Sequence, residues 1–100
     1  MEVFKERAVT YSWFRNCGVV TLTSNYILFS VITSNIQLFK INTSLVKSVL
    51  ISRRIIILGD KITVRYSDEE KHKELSYITR QAGAWQKHFE SSGLEVIIQN

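Results

Sequence analysis

The sequence predicts a mainly β protein that ends in one amphipathic α-helix, and three observations lead to this prediction. First, the motif Thr-Ser-Asn-x-x-Leu-Phe occurs twice, ten residues apart, at 23–29 and 33–39. Second, apolar and polar residues alternate along 61–67 with the period of a half-buried strand. Third, the period changes near residue 78 to that of a helix. Together they predict a seven-stranded antiparallel barrel or sandwich capped by the helix.

The repeated motif accounts for the first strands. A Ser-Asn pair interrupts each run of β-branched and aromatic residues. Asn tolerates a left-handed backbone and Ser bonds locally, so each pair is expected to close a hairpin. Turns at this spacing predict strands of about eight residues folded up and down. The predicted strands cover 3–11, 18–23, 26–33, 36–41, 45–52, 61–67 and 72–77.

Two strands carry more detailed expectations. Both alternating sets of 26–33 are apolar, so this strand should be covered on both faces or carry its outer face into an interface. In 61–67 the even-numbered residues should point to the core, while the odd-numbered ones, Thr63 among them, should face water. Gly59-Asp60 suits a tight turn before that strand, and 68–71 suits a charged turn after it.

The C-terminal helix is predicted over 79–92. Its apolar face is formed by Ile78, Ala82, Trp85 and Phe89. Thr79 is a fair N-cap, and Gly93 lies where a helix would end in a left-handed cap. Each large aromatic buries on the order of 150–250 Å², so Trp85 and Phe89 are expected to close an open end of the curled sheet. The apolar tail 94–98 could add an edge strand.

Composition indicates a single domain spanning 1–100. With 45% hydrophobic and 22% charged residues, the chain has the composition of an ordinary globular protein. The longest mostly apolar stretch, 26–32, is far shorter than a membrane span of about 20 residues. The single cysteine, Cys17, cannot form an internal disulfide, so a reducing cytoplasm is the expected compartment.

No catalytic residue, metal site or cofactor is predicted. His72 and His88 stand alone in sequence, and their spacing to Cys17 is no zinc signature. Four dispersed glycines cannot build a phosphate-binding loop. The acidic run 68–70 is typical of a solvated turn rather than of a general acid–base pair. The protein is therefore expected not to be an enzyme.

Seven strands followed by one helix resemble the pleckstrin-homology-like (PH-like) superfamily, and within it the GRAM and bacterial PH-like domains. The resemblance covers roughly residues 14–91 and is carried by Gly18, Leu22-Thr23, Ile27-Leu28-Phe29 and Trp85. It implies a non-catalytic module that docks on membranes through phosphoinositide headgroups or binds peptides and partner proteins. Members that bind phosphoinositides carry Lys and Arg around the first hairpin, where this chain has Lys5, Arg7 and Arg15 without a close basic-x-basic pair.

The segment that begins at Arg53 and Arg54 is the first candidate for binding. Ile55 and Ile56 follow directly. Such a segment can seat a loop at a lipid interface, with the charges on phosphates and the isoleucines at the acyl boundary. The alternative is that 54–58 extends the fifth strand, as apolar runs bounded by a glycine turn usually do.

The second candidate is Trp13-Phe14-Arg15, an aromatic pair with a cation near the first turn. Exposed rings at this position would form a protein-binding hot spot or a membrane-interface anchor. Alternatively, at least one ring caps the end of the barrel.

The expected function is a non-enzymatic binding module, cytoplasmic and peripheral at the membrane, that docks to a membrane surface or an anionic lipid headgroup. The candidate ligand-binding residues are Arg53, Arg54, Arg15, Lys5 and Arg7, and the candidate interface residues are Trp13, Phe14, Ile55 and Ile56. The net charge of +4 suits an anionic partner, although the cations are spread along the chain.

A protein-interaction or self-assembly domain without a lipid ligand is the alternative function. Such a homo-oligomer or partner complex would use strand 26–33 or the edge of the sheet. Nucleic-acid binding ranks lower, because the strand aromatics are expected to face the core. Those aromatics are Tyr26, Phe29, Phe39 and Tyr66.

Overall fold

The computed structural model describes residues 2–10, 17–31, 37–56 and 59–99, with the backbone alone at 2, 10, 37–38 and 54–56. Within these residues the chain forms eight strands, one 3₁₀ turn and one α-helix. In chain order they are β1 (Glu2–Thr10), β2 (Cys17–Thr23), β3 (Tyr26–Val31), β4 (Gln37–Asn42), the 3₁₀ turn (Thr43–Leu45), β5 (Val46–Ile56), β6 (Gly59–Asp68), β7 (Lys71–Thr79), α1 (Ala82–Ser91) and β8 (Val96–Gln99).

All eight strands belong to one sheet, in the order β4-β3-β2-β1-β7-β6-β5-β8. Neighbouring strands are antiparallel except β5 and β8, which are parallel. The sheet ends at β4 on one side and β8 on the other, so it is not closed. The mainly β class with one C-terminal helix is confirmed. The prediction of seven antiparallel strands is wrong, because the tail after α1 returns alongside β5 and adds a parallel strand.

The sheet consists of two four-stranded halves that meet at β1. This strand pairs with β2 along most of its length but with β7 at Val9 and Thr10 alone. The inner faces of the two halves and the helix enclose one core. Its buried residues are Ala8, Val20, Leu22, Ile27, Phe29, Ile41, Val49, Ile51, Ile62, Val64, Tyr77, Ala82, Trp85 and Phe89.

Trp85 fixes α1 to the sheet. Its side chain is fully buried, and its ring centroid lies 5.4 Å from that of Phe89 and 4.7 Å from that of Phe4 on β1. The indole Nε1 donates a 2.6 Å hydrogen bond to the Oε1 of Glu6, a carboxylate on the inner face of β1. The expectation that Trp85 and Phe89 pack into the sheet is confirmed.

The helix begins at Ala82 rather than at residue 79, so the predicted N-cap is wrong. Thr79 is the last residue of β7, and its hydroxyl donates to Glu6 and accepts from the backbone N–H of Gln81. The residue before the helix, Gln81, makes no capping bond with its side chain. Thr79 is held in β7 by its pairing with Asp60 of β6, so the helix cannot begin at that residue.

The predicted end of the helix is confirmed. Gly93 has φ +83°, which is the left-handed conformation that glycine adopts readily. Its N–H donates to the carbonyl of Glu90, and the N–H of Leu94 donates to the carbonyl of Phe89, both at 3.0 Å. These two bonds form a Schellman motif, which satisfies the last carbonyls of the helix.

The first Ser-Asn pair closes the β2–β3 hairpin as predicted, but by a different mechanism. The hydroxyl of Thr23 accepts from the backbone N–H groups of Asn25 and Tyr26, and Asn25 is not left-handed. The carbonyl of Asn25 also accepts from the N–H of Thr43, which ties the turn to the 3₁₀ segment. The second pair, in 32–36, lies outside the described residues.

The charged turn at 68–71 is confirmed, and it joins β6 to β7. Glu69 and Glu70 both have positive φ, 49° and 66°, as a two-residue hairpin turn of type I′ requires. Gly59, by contrast, is the first residue of β6 rather than part of a turn. A Cβ there would come within 2.4 Å of the Thr79 carbonyl, so the close approach of β7 requires glycine.

Two burial expectations are corrected. Thr63 does not face water: it is 7% exposed, and its hydroxyl lies 2.9 Å from that of Ser76 on the neighbouring strand. Small hydroxyl side chains on adjacent strands cover one another there. Strand β3 is not covered equally on both faces, because Ile27 and Phe29 are buried while Leu28 is half-buried. The other alternative for this strand, an outer face in an interface, stays a prediction.

Tyr77 on β7 is buried, and its hydroxyl has no hydrogen-bond partner in the described part of the chain. Burial, and after it the charge of Glu6, raises the pKa of the Tyr77 phenol well above its ordinary value. Since this pKa is higher in the folded than in the unfolded chain, ionisation of the phenol leaves the free energy of unfolding unchanged below about pH 10 and lowers it as the pH rises further.

Tyr77→Phe is therefore expected to raise the free energy of unfolding by about 1 kcal/mol at neutral pH, because it removes a buried polar group without a partner. The advantage of the variant should grow at about pH 11, where the phenol ionises upon unfolding. Urea titrations followed by circular dichroism at the two pH values measure both effects. A variant that is less stable than wild type at neutral pH would contradict this account of the hydroxyl.

Candidate functional site

The first predicted binding segment forms the end of β5. Arg53 is exposed, and the backbone from Arg54 to Ile56 continues the strand, with Ile56 opposite Gly59 of β6. The alternative that 54–58 extends the fifth strand is therefore confirmed for the backbone of 54–56. Residues 57–58 and the side chains of 54–56 lie outside the described residues. The second predicted segment, Trp13-Phe14-Arg15, also lies outside them.

Lys5 and Arg7, the remaining predicted ligand residues, are exposed on the outer face of β1. Their alternate neighbours Phe4, Glu6 and Ala8 point to the core side, as the two-residue period of a strand requires. The pairing of β1, β2, β3 and β4 then sets their surroundings on the outer face. One row across the four strands consists of Lys5, Thr21, Leu28 and Lys40.

We call the outer surface of β1–β4 the cationic face. Among its described side chains are the cations Lys5, Arg7 and Lys40, and none of the described side chains there is a carboxylate. The described carboxylate of β1, Glu6, lies on the opposite side of the sheet. The structure thus places Lys40 on the same face as the predicted residues Lys5 and Arg7, although it is distant from them in sequence.

Sequence reasoning missed Lys40, but a signal for it exists. No Asp or Glu occurs from Arg7 to Gly59, and this stretch, Arg7 included, contains six basic residues. They are Arg7, Arg15, Lys40, Lys47, Arg53 and Arg54. Seven of the nine carboxylates follow residue 59, so the early strands carry few acidic side chains to offset their cations.

The centre of the cationic face is partly apolar. Val19, Tyr26 and Leu28 are half-buried there, and the Lys40 Nζ lies 4.4 Å from the centroid of the Tyr26 ring. The expectation that Tyr26 faces the core is wrong, because the alternation along β3 places Ile27 on the inner side. A tyrosine beside a cation is an arrangement suited to a boundary between water and an apolar phase.

A second basic feature is a groove of about 690 Å³ across β5, β6 and β7. It is lined by Lys47, Ser48, Arg65, Tyr66, His72, Lys73 and Glu74. A bulge between Val46 and Ser48 leaves Lys47 without a paired residue in β6.

Carboxylates reduce the positive charge of this groove. The Arg65 Nε lies 2.7 Å from the Glu74 Oε2, and the Lys73 Nζ lies 3.2 Å from the Asp68 Oδ2. Both pairs are about half exposed and contribute little to stability, but their carboxylates offset two of the three cations, Arg65 and Lys73. The cationic face is therefore the stronger site for an anionic partner.

Neither histidine joins a catalytic arrangement in the described structure. The His88 ring stacks on Phe4, with 4.6 Å between centroids, and the His72 Nδ1 lies 3.4 Å from the Ser67 hydroxyl. The described residues contain no group of three or more His, Cys, Asp or Glu placed to hold a metal ion. None of the described helices is long and apolar enough to cross a membrane.

Comparison with known proteins gives a likeness of fold. No protein-family model and no curated protein matches the chain. The chain is similar to the crystal structure of the C-terminal domain of an unknown protein from Leishmania infantum, with a TM-score of 0.73 at 10% sequence identity. The match covers 92% of this chain and 84% of that one. At this identity the similarity shows the fold alone.

Proposed function

We propose that this chain is a non-enzymatic module of the PH-like kind that docks its cationic face on an anionic membrane surface. The observation that carries the proposal is the grouping of the cations Arg7 and Lys40, together with Lys5, on one outer face of β1–β4. The order of seven strands followed by a helix with a buried tryptophan, Trp85, supports a relationship to the PH-like superfamily.

The number of cations on the cationic face determines how strongly it is attracted to an anionic bilayer. A Lys or Arg near an anionic bilayer contributes about 1 kcal/mol, so Arg7 and Lys40 alone give about 2 kcal/mol. This is a weak, reversible attraction that falls as salt screens it. Tyr26 and Leu28, half-exposed between the cations, add contact at the boundary of the headgroups.

Arg7→Glu combined with Lys40→Glu is expected to weaken binding to vesicles of phosphatidylcholine and phosphatidylserine by at least about 30-fold, because two attractive charges become repulsive. The matched control is Lys47→Glu with Lys87→Glu, which changes the net charge equally on β5 and α1. Co-sedimentation at low and at physiological ionic strength measures the partition of each variant between vesicle and solution.

Equal losses in the two double variants would contradict the proposal, because net charge rather than the cationic face would then govern binding. The proposal would also be contradicted if the wild-type protein does not bind anionic vesicles at low salt, or if it binds a single-stranded oligonucleotide more tightly than the vesicles. Circular dichroism of each variant confirms that the comparison is between folded proteins.

Self-assembly is the second candidate function, and a specific observation favours it. Two of the exposed large apolar side chains, Ile97 and Ile98, are consecutive residues of the edge strand β8 and project from opposite faces of the sheet. Their exposure is unusual at an unpaired sheet edge, where charged residues commonly prevent association.

A further inference from the structure

The outer edge of β8 is short but lacks the charges, proline and bulge that keep many sheet edges apart. The strand reads Val96-Ile97-Ile98-Gln99, with no charge and no proline, and its pairing with β5 is regular over all four residues. Ile97 and Ile98 are 37% and 36% exposed. At the opposite edge of the sheet, β4 carries the exposed Lys40. An uncharged, regular edge strand is a template for a further strand.

One hydrogen bond establishes which backbone groups of β8 face the open edge. The N–H of Val49 donates to the carbonyl of Glu95 at 2.8 Å. Because backbone groups alternate in direction along a strand, Glu95, Ile97 and Gln99 direct theirs at β5. The N–H and carbonyl groups of Val96 and Ile98 therefore point away from the sheet, toward the position of a ninth strand.

We propose that β8 pairs antiparallel with β8 of a second copy of this chain, about a two-fold axis at Ile97. In this register Val96 of each copy exchanges both of its backbone hydrogen bonds with Ile98 of the other, so the outward groups of both residues are satisfied. Ile97 then opposes Ile97 of the second copy in a non-hydrogen-bonded pair, with Cα atoms about 4.5 Å apart.

Self-complementarity selects a second copy as the occupant. Directly opposed residues in an antiparallel pair share a face of the sheet, and a two-fold axis at Ile97 brings isoleucine against isoleucine. The contact is much smaller than the roughly 1,200–2,000 Å² of stable interfaces. The dimer is therefore weak and depends on concentration, and it does not depend on the proposed membrane function.

Disulfide trapping tests the register. Ile97→Cys in a Cys17→Ser background is expected to form a disulfide-linked dimer under mild oxidation, because its Cα separation lies within the range of about 4.4–6.8 Å for disulfides. Ile98→Cys in the same background is the matched control. Its two Cα atoms lie diagonally, roughly 8 Å apart, so it should cross-link far more slowly. Non-reducing electrophoresis against time gives the two rates.

Sedimentation equilibrium tests the association without a cross-link. Wild-type chain should shift from monomer toward dimer as its concentration rises to the millimolar range, and Ile97→Lys should remain monomeric. Because Ile97 is exposed, the lysine variant should keep its circular dichroism spectrum. A wild-type chain that is monomeric throughout, cross-linking that is equal at 97 and 98, or a lysine variant that dimerises like wild type would each overturn the proposal.

Discussion

Trp85→Ala is expected to lower the free energy of unfolding by about 3–5 kcal/mol, the usual loss when a large buried aromatic is truncated. The substitution removes ring contacts with Phe4, Tyr77 and Phe89, which lie on two strands and on the helix. It also leaves the Glu6 carboxylate, on the core side of β1, without its indole donor. Urea titration followed by circular dichroism measures the loss.

Two variants separate the parts of this effect. Trp85→Phe keeps most of the apolar contact but removes the indole N–H, so it should lose about 2 kcal/mol, the contribution of a hydrogen bond to a charged group. Lys87→Ala, at an exposed position of the same helix, should change stability by less than about 0.5 kcal/mol. A loss below about 1 kcal/mol for Trp85→Ala would mean that the helix does not hold the two halves of the sheet together.

Gly18→Ala is the second substitution with a large expected effect. A Cβ at this position would meet the backbone oxygen of Ser30 at 2.3 Å and the ring of Phe29 at 2.6 Å. Neither neighbour can yield easily, because β2 and β3 are paired along their length and Phe29 is fully buried. Forcing atoms into such a space costs about 1–3 kcal/mol or more, and we expect a loss at the upper end of that range.

The matched control is the same substitution at Gly83. This glycine lies within α1, and a Cβ there would meet nothing within 4 Å. Alanine is the better helix former, so Gly83→Ala should raise the free energy of unfolding by about 0.5–1 kcal/mol. Thermal melts of the two variants should therefore move in opposite directions. Melting temperatures that move in the same direction would contradict the close contact between Gly18 and β3.

The local pattern of the sequence predicts most elements because the period of apolar residues and the conformational preference of single residues depend on neighbours in sequence alone. A period of two in 61–67 and a helical period through Trp85 and Phe89 give the type of each element. Gly93 gives the end of the helix correctly, since the left-handed cap is a property of the residue itself. These signals require no knowledge of which strands are neighbours.

The start of the helix and the position of β8 depend on distant partners and cannot be obtained in that way. Thr79 is held in β7 by its pairing with Asp60 on β6, and its hydroxyl donates to Glu6, which lies at the other end of the chain. The apolar tail at 96–99 indicates a strand, but nothing in its sequence specifies that it pairs with β5 or runs parallel to it.

The candidate site is less predictable than the fold for the same reason. Lys5 and Arg7 are recognisable as an exposed pair on one strand, but Lys40 joins them through two intervening strands. The outward position of Tyr26 likewise follows from the register of β3 rather than from its composition. The absence of acidic residues between 7 and 59 is the one sequence signal that anticipates a positive surface.

Contact between the cationic face and a bilayer is the central claim, and Cys17 offers a direct measurement of it. This residue is the single cysteine of the chain, and it is exposed on the outer side of β2. An environment-sensitive fluorophore on Cys17 should shift to shorter wavelength and become protected from iodide when anionic vesicles are added. The same label on Lys87→Cys in a Cys17→Ser background should not change. A shift at position 87 with none at Cys17 would contradict the claim.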